Sequence, residues 1–317
     1  MRKSITALFA TAAIGLAVFP AAAQETPTEA PAQVEALDPV PEPVQPVAAR
    51  DVDPALWVVK DADTTIYLFG TVHILKPGLS WFDDGVKEAF DKSDRLVLEL
   101  VEPSPAESQA LFMKLAMDQS GKTLRSKMTE AERVIYEGAL KKIGIPAEGL
   151  DPFDPWAAAV TMSVVAMQQK GFDINSGAEK QLTAAAKASN KPITGVETME
   201  FQLGVFDAMS QAEQIEFLVE SAKMIDEIEV TMDKMVELWA KPDPVGLAVL
   251  MNEGLTSPAL YTALLTNRNA NWAKWVKAQM EKPGTTFMAV GAGHLSGSTS
   301  VPVLLSSYGI NAERVAY

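Results

Sequence analysis

The segment Thr286-Phe287-Met288-Ala289-Val290 is apolar at nearly every position, without the apolar–polar alternation of a strand that has one wet face. Such a run reads as a central strand covered on both sides, so the chain needs a layer of structure above and below a sheet. Other short β-branched and aromatic runs supply the neighbours. Leu56-Trp57-Val58-Val59 and Thr65-Ile66-Tyr67-Leu68-Phe69 flank a polar turn at 60–63 and predict a hairpin. Leu96-Val97-Leu98-Glu99-Leu100 and Pro192-Ile193-Thr194-Gly195-Val196-Glu197 predict two more strands, and residues 310–317 are expected to close the sheet.

The middle of the chain reads as helical. Ser104-Pro105-Ala106-Glu107, Thr129-Glu130-Ala131-Glu132 and Ser210-Gln211-Ala212-Glu213 each pair a hydroxyl with a glutamate three residues on, the signature of a capping box. Residues 211–239 carry Leu218, Met224, Ile228, Met232, Met235 and Leu238 at helical spacing, predicting one long amphipathic helix or a helix pair. The chain has 14 methionines, and at this spacing they read as adaptable core filler. The expected fold is therefore α/β: a mixed central sheet flanked by helices, with a large helical insertion.

The N-terminus has a different character. Met1-Arg2-Lys3 is basic, residues 5–19 are apolar, and Pro20-Ala21-Ala22-Ala23 offers small residues for cleavage. Residues 1–23 thus read as a signal peptide. The apolar run is shorter than the roughly 20 residues a membrane span needs. Residues 24–50, rich in Pro, Ala, Glu and Val, read as a disordered tether, and residues 51–317 as one folded domain. A periplasmic or secreted location follows, with no stable membrane insertion after cleavage. The chain has no cysteine, which removes disulfides, thiolate metal sites and a lipid-anchoring thiol. An ordinary hydrophobic core must hold the domain together. The net charge of −14 excludes nucleic acid as a natural partner.

Several chemistries are absent by motif: no Gly-x-Ser-x-Gly elbow, no His-Glu-x-x-His helix, no phosphate loop. What remains is a coincidence. The chain has two histidines, His73 and His294, and each follows a glycine at minus three and an apolar strand: Gly70-Thr71-Val72-His73 and Gly291-Ala292-Gly293-His294. Glycine permits a sharp exit from a strand and a close backbone approach. It would aim each imidazole from the carboxyl edge of the sheet, where open α/β sheets bind ligands. Glu99 and Glu197 fall at or near strand ends too. Taken singly, these carboxylates read as structural, each forming a salt bridge or accepting from backbone amides. Two imidazoles and one or two carboxylates at one edge would make a His/Glu site for zinc, manganese, iron or cobalt, able to activate a water.

The strand-Gly-Thr-x-His, the Leu-Val-Leu-Glu-Leu strand and the late Val-Gly-Ala-Gly-His-Leu resemble the TraB/GumN family, which includes the Tiki metalloproteases. Gly171-Phe172-Asp173, the stretch from Lys191 to Thr198, Gln202 and Arg268-Asn269 fit the same pattern, so the resemblance covers nearly the whole body. It implies a metal-dependent hydrolase fold related to the ChaN and erythromycin-esterase groups, holding a divalent metal (Mn, Co or Zn). By resemblance His73, His294 and Glu99 are the metal ligands, with Glu99 alternatively the base. Glu197 and Arg268 match family positions and join Glu99 as the expected catalytic residues: Glu99 or Glu197 would manage the proton, and Arg268 would stabilise an oxyanion or pair with a site carboxylate. The expected activity is hydrolysis of a peptide or other small extracytoplasmic substrate. The alternative is a non-catalytic protein that sequesters a peptide, haem or metal in the same cleft. A role in polysaccharide export is suggested by the family name alone.

Overall fold

A computed structural model describes residues 49–254 and 258–317. The signal peptide expected at 1–23, and the tether expected at 24–50 except for its last two residues, lie outside the described residues. Arg50 is already part of the body, because β1 (Arg50–Asp51) pairs in parallel with β4 (Leu79–Ser80).

The hairpin forms as predicted, from β2 (Leu56–Lys60) and β3 (Thr64–Thr71). Asp61 fixes its turn, its Oδ1 accepting from the backbone N–H of Thr64 at 2.8 Å. After α1 (Asp84–Lys92) and β5 (Arg95–Leu98) comes the helical middle. It comprises α2 (Pro105–Ala116), α3 (Glu130–Lys142), α4 (Pro155–Gln169) and α5 (Ala178–Ala188), then the short β6 (Ile193–Gly195). It continues with α6 (Met199–Asp207), α7 (Gln211–Met224), α8 (Ile228–Ala240), α9 (Pro244–Gly254) and α10 (Pro258–Tyr261). A π-helical turn (Thr262–Thr266) leads into α11 (Asn267–Gln279), followed by β7 (Gly284–Gly291), a 3-10 turn (Ala292–Leu295), α12 (Val301–Ser306) and β8 (Glu313–Arg314). All three capping boxes are present, at the N-termini of α2, α3 and α7. The stretch 211–239 is a helix pair, α7 and α8.

The main sheet has the order β6-β5-β7-β3-β2-β8. The neighbours β6, β5, β7 and β3 are parallel; β2 runs against β3 and against β8. Residues 310–317 join the main sheet, as expected, through the short β8. Glu313 and Arg314 pair with Val58 and Trp57 at its outer edge, and the Val315 N–H donates to Leu56 O at 3.0 Å. This is a mixed open sheet, as expected.

The strand that opened the argument is central. Along β7 the side chains alternate between two cores: Phe287 and Ala289 face one, Met288 and Val290 the other. Each of Phe287, Met288 and Val290 is fully buried, a gain of about 1.5–3 kcal/mol apiece over exposure. The larger core lies under the helical middle, including the buried Trp156, Phe206, Leu218 and Met232. The smaller is closed by α11 and α12 through Trp272, Val276, Val301 and Leu305. Buried Met224, Met232 and Met235 confirm the methionines of this region as core. Among the described residues no helix is long and apolar enough to cross a membrane.

Candidate functional site

Register brings the candidate residues together. Thr71 at the end of β3 pairs with Gly291 at the end of β7, and Leu98 at the end of β5 pairs with Ala289. His73, His294 and Glu99 therefore leave three adjacent parallel strands at the same edge. Glu197 follows β6 and joins them, its backbone N–H donating to Glu99 O at 2.7 Å.

The glycines act by leaving room. Neither Gly70 nor Gly291 has a positive φ. A Cβ on Gly70 would meet Ala292 at 3.0 Å. A Cβ on Gly291 would lie 2.9 Å from Glu99 Oε1 and 3.5 Å from both His73 Nε2 and His294 Cδ2. All three side chains thus converge on the point beside Gly291, and the two rings stand within twice that longer distance of each other.

Both histidines are held by the nitrogen that faces away. His73 Nδ1 is 2.8 Å from Glu179 Oε1 on α5, while its buried Nε2 has no hydrogen-bond partner. His294 Nδ1 is 2.6 Å from Asn269 Oδ1 on α11. The Asn269 amide donates through Nδ2 to Thr299 O at 2.8 Å, which turns its oxygen toward the ring. An oxygen only accepts, so Nδ1 of His294 carries the proton and Nε2 keeps its lone pair, 3.8 Å from Glu99 Oε1. Trp272 packs on the His294 ring with centroids 4.3 Å apart.

Burial and partners split the two rings electrostatically. Burial opposes protonation of His73, but Glu179, assisted by Glu99, outweighs it and raises the pKa to about 9. His294 is lowered to about 3 by burial, with Arg268 and His73 adding repulsion that Glu99 only partly offsets. Glu99 is held down at about 2: burial works against the anion, and Arg268, the two histidines and the Gly291 N–H more than compensate.

Beneath the rings lies a buried carboxylate–guanidinium knot. Arg268 Nη2 donates to Glu99 Oε2 and to Glu197 Oε2, each at 2.8 Å, and Arg268 Nε reaches both oxygens of Glu197. Its Nη1 donates to Leu264 O, inside the π turn, at 3.1 Å. Gln202 Nε2 bridges the same two carboxylates, and Trp272 Nε1 donates to Glu197 Oε1 at 2.9 Å. Arg268 thus pairs with site carboxylates, the second of its two expected roles, and Glu197 is engaged by Arg268, Trp272 and Gln202.

A cleft of about 670 Å³ opens over His73, Glu99 and Glu179, between α5 and the segment joining β5 to α2. Leu98, Leu100, Val101, Ile174, Met199 and Leu203 give it apolar walls. All five predicted residues share one neighbourhood, but only His73 and Glu99 of them line the cleft. The donors suit a divalent metal in kind: an orphaned His73 Nε2, a His294 Nε2 with a free lone pair, and a carboxylate oxygen, each imidazole steadied from behind as metal-binding histidines are. As placed they are not drawn to coordination spacing: among the described residues no group of three or more His, Cys, Asp or Glu side chains stands in metal-binding geometry.

Sequence reasoning missed Glu179 and Trp272. Neither carries a local signal: Glu179 is one acidic residue in the first turn of α5, and Trp272 sits on an apolar helix face. Gly177 was a usable clue, since a Cβ there would meet His73 O at 2.2 Å. Gln202 and Asn269 stood in the resemblance without a role, and the structure supplies one for each.

Comparison with known proteins finds relatives of low identity. An uncharacterized protein of Treponema pallidum (strain Nichols) is 22% identical over 264 residues, covering 77% of this chain and 78% of its own length. The uncharacterized protein YbaP of Escherichia coli (strain K12) is 22% identical over 257 residues, covering 80% and 92%. No solved structure matches the chain significantly. The model of the TraB/PrgY/gumN family matches residues 55–314, from β2 to β8 and through every residue of the knot, and the chain belongs to that family.

Proposed function

We propose that the chain is a metal-dependent hydrolase acting outside the cytoplasm, a peptidase, with His73, His294 and Glu99 holding the metal. One observation carries the reading: His73 Nε2, His294 and Glu99 Oε1 face the same point beside Gly291, and both rings are fixed from behind. A divalent metal (Mn, Co or Zn) would supply there an acidified water and a polarised carbonyl. The chain's own residues divide the remaining work. Glu179 and Asn269 aim the rings. Glu99, anionic down to about pH 2, suits a ligand better than a base, because a general base works best with a pKa near the operating pH. Arg268 neutralises Glu99, and Glu197, held by Arg268, Trp272 and Gln202, fixes the guanidinium. The cleft excludes water along its apolar walls and admits substrate beside His73. The extracytoplasmic location rests on the signal peptide read at 1–23, and the substrate is a peptide or another small molecule of that compartment.

A second reading is favoured by a separate fact. Every carboxylate lining the cleft is already engaged, Glu99 by Arg268, Glu102 by Lys180 and Glu179 by His73, so none is a free base. A protein that only sequesters a peptide, haem or metal needs none. Metal analysis of purified wild type, His73→Ala and His294→Ala tests the site, followed by peptide turnover with chelator and re-addition of one metal. Stoichiometric metal in wild type, lost in both variants, with chelator-sensitive turnover, supports the hydrolase. Metal retained in both variants overturns the site, and binding without turnover moves the protein to the second reading.

A further inference from the structure

One charged side chain on the cleft lining has no ion-pair partner among the described residues. Besides His73, the cleft's charged lining side chains are Glu99, Glu102, Glu179, Lys180 and Lys187. Glu99 is paired with Arg268 and Glu179 with His73, and Glu102 with Lys180 ties one wall to the other. The ammonium of Lys187 makes no ion pair or hydrogen bond among the described residues. Lys187 is exposed and lines the cleft, so its ammonium can pair with an anion entering there.

Its position is set by α5. Glu179, Lys180, Thr183, Ala184 and Lys187 all line the cleft, the i, i+4, i+8 pattern of a single helix face. The helix therefore forms one wall from the His73 end outward. Eight residues at 1.5 Å each place Lys187 about 12 Å along the axis from Glu179. An extended peptide advances about 3.3 Å per residue, so that span corresponds to three or four residues.

Resting on the peptidase reading above, we infer that the cleft receives an extended apolar peptide segment whose carboxylate pairs with Lys187, three or four residues beyond the cleaved bond. Apolar side chains lie on Leu100, Val101, Met199 and Leu203. Hydrolysis adds water across the amide C–N bond: the hydroxyl goes to the carbonyl carbon and the proton to the departing nitrogen. The fragment on the Lys187 side leaves with a new amino group and the carboxylate it brought. That carboxylate is the peptide's C-terminus or an acidic side chain, and the test separates the two.

A fluorescent apolar peptide is prepared with a free C-terminus, as its amide, and as an amide ending in Glu. Binding to the purified protein is read by anisotropy and cleavage by mass spectrometry. The expected result is three- to fivefold tighter binding of the acid than of the amide, the worth of one exposed ion pair, shrinking at high salt. K187E reverses the preference; K274E, the same charge change on α11 away from the cleft, preserves it. A gain by the Glu amide assigns the side-chain source, and its absence assigns the C-terminus. Equal binding of acid and amide, no binding of any peptide, or a preference surviving K187E overturns the inference. Preferential binding without cleavage leaves it standing and overturns the hydrolase reading instead. Cleavage without preference does the reverse.

Discussion

Asn269 and His294 form the most fully determined contact in the site. The amide is oriented by Thr299 O, and it orients the imidazole in turn at 2.6 Å. One side chain on α11 thereby selects the tautomer of a ring on the turn after β7. Asn269→Ala would leave the buried ring N–H and the part-buried Thr299 carbonyl unpaired. We expect a loss of about 1–3 kcal/mol in urea unfolding. Metal affinity measured by titration is expected to fall about 10–100-fold, the usual effect of losing a group that orients a ligand. An unchanged metal titration in the folded variant would count against His294 as a ligand.

The two histidines also set the pH behaviour, and because the chain has only these two, an untagged protein reports each directly by NMR. His73 has its pKa raised to about 9, so in the metal-free protein its proton blocks Nε2 below that pH. Metal affinity should rise with pH, roughly tenfold per unit, and level off near 9. Glu179→Gln removes the anion that holds the proton, and the plateau should begin at lower pH. Affinity flat between pH 6 and 9 would contradict this.

Stability of the metal-free protein follows from the same shifts with the signs worked out. The raised pKa of His73 contributes stability that is complete below its unfolded value near 6.5 and lost as pH climbs through 9. His294 and Glu99 have depressed values of about 3 and 2, so both contributions are lost on the acid side, His294 from near 6.5 downward and Glu99 from near 4.5. A melting-temperature profile should therefore fall on both flanks, and His294→Gln should flatten the acid one.

Arg268 is the single cation between two buried carboxylates. Arg268→Met strands both, and thermal unfolding should show a loss of about 3–5 kcal/mol at neutral pH. Protonation relieves the stranded pair, so the deficit should narrow in acid. A loss below about 1 kcal/mol would mean that the knot is far more solvated than its burial indicates.

Gly291→Ala tests the convergence point itself. The new methyl would sit 2.9 Å from Glu99 Oε1, between the rings, too close without displacement. The expected cost is about 1–3 kcal/mol, typical of overpacking. Circular dichroism should stay native while metal binding disappears. Gly204→Ala, where a Cβ meets nothing within 4 Å, serves as the control.

Much of this was legible in the residues, for physical reasons that differ by element. The β7 run could only be a doubly covered strand, and the capping boxes at Ser104, Thr129 and Ser210 marked true helix starts because their chemistry is local. The edge holding His73, Glu99 and His294 was legible because strand-end motifs project their side chains predictably. What could not be read was orientation across the fold. That Glu197 would be tied up by Arg268, Trp272 and Gln202 depends on three helices and strands meeting, and no spacing in the chain encodes it. Glu179 was hidden for the same reason. The glycines were read as special for a sharp exit and for close backbone approach, and at Gly70 and Gly291 the second reason applies, since neither has a positive φ and each leaves space a Cβ would fill.

The π-helical turn at Thr262–Thr266 has one more implication. It lies immediately before Arg268, Asn269 and Trp272, and its Leu264 carbonyl accepts from Arg268. A π turn is one residue of slack in an α-helix, and each residue turns the helix by about 100°. Deleting a single residue there would take up that slack, tightening the π turn to an α turn with the arginine, the asparagine and the tryptophan still in phase, whereas a deletion between Asn269 and Trp272 would swing the tryptophan away from His294 and Glu197. The site thus carries a spare link just upstream of its anchoring helix, and the loss of one residue is tolerated there but not beyond it.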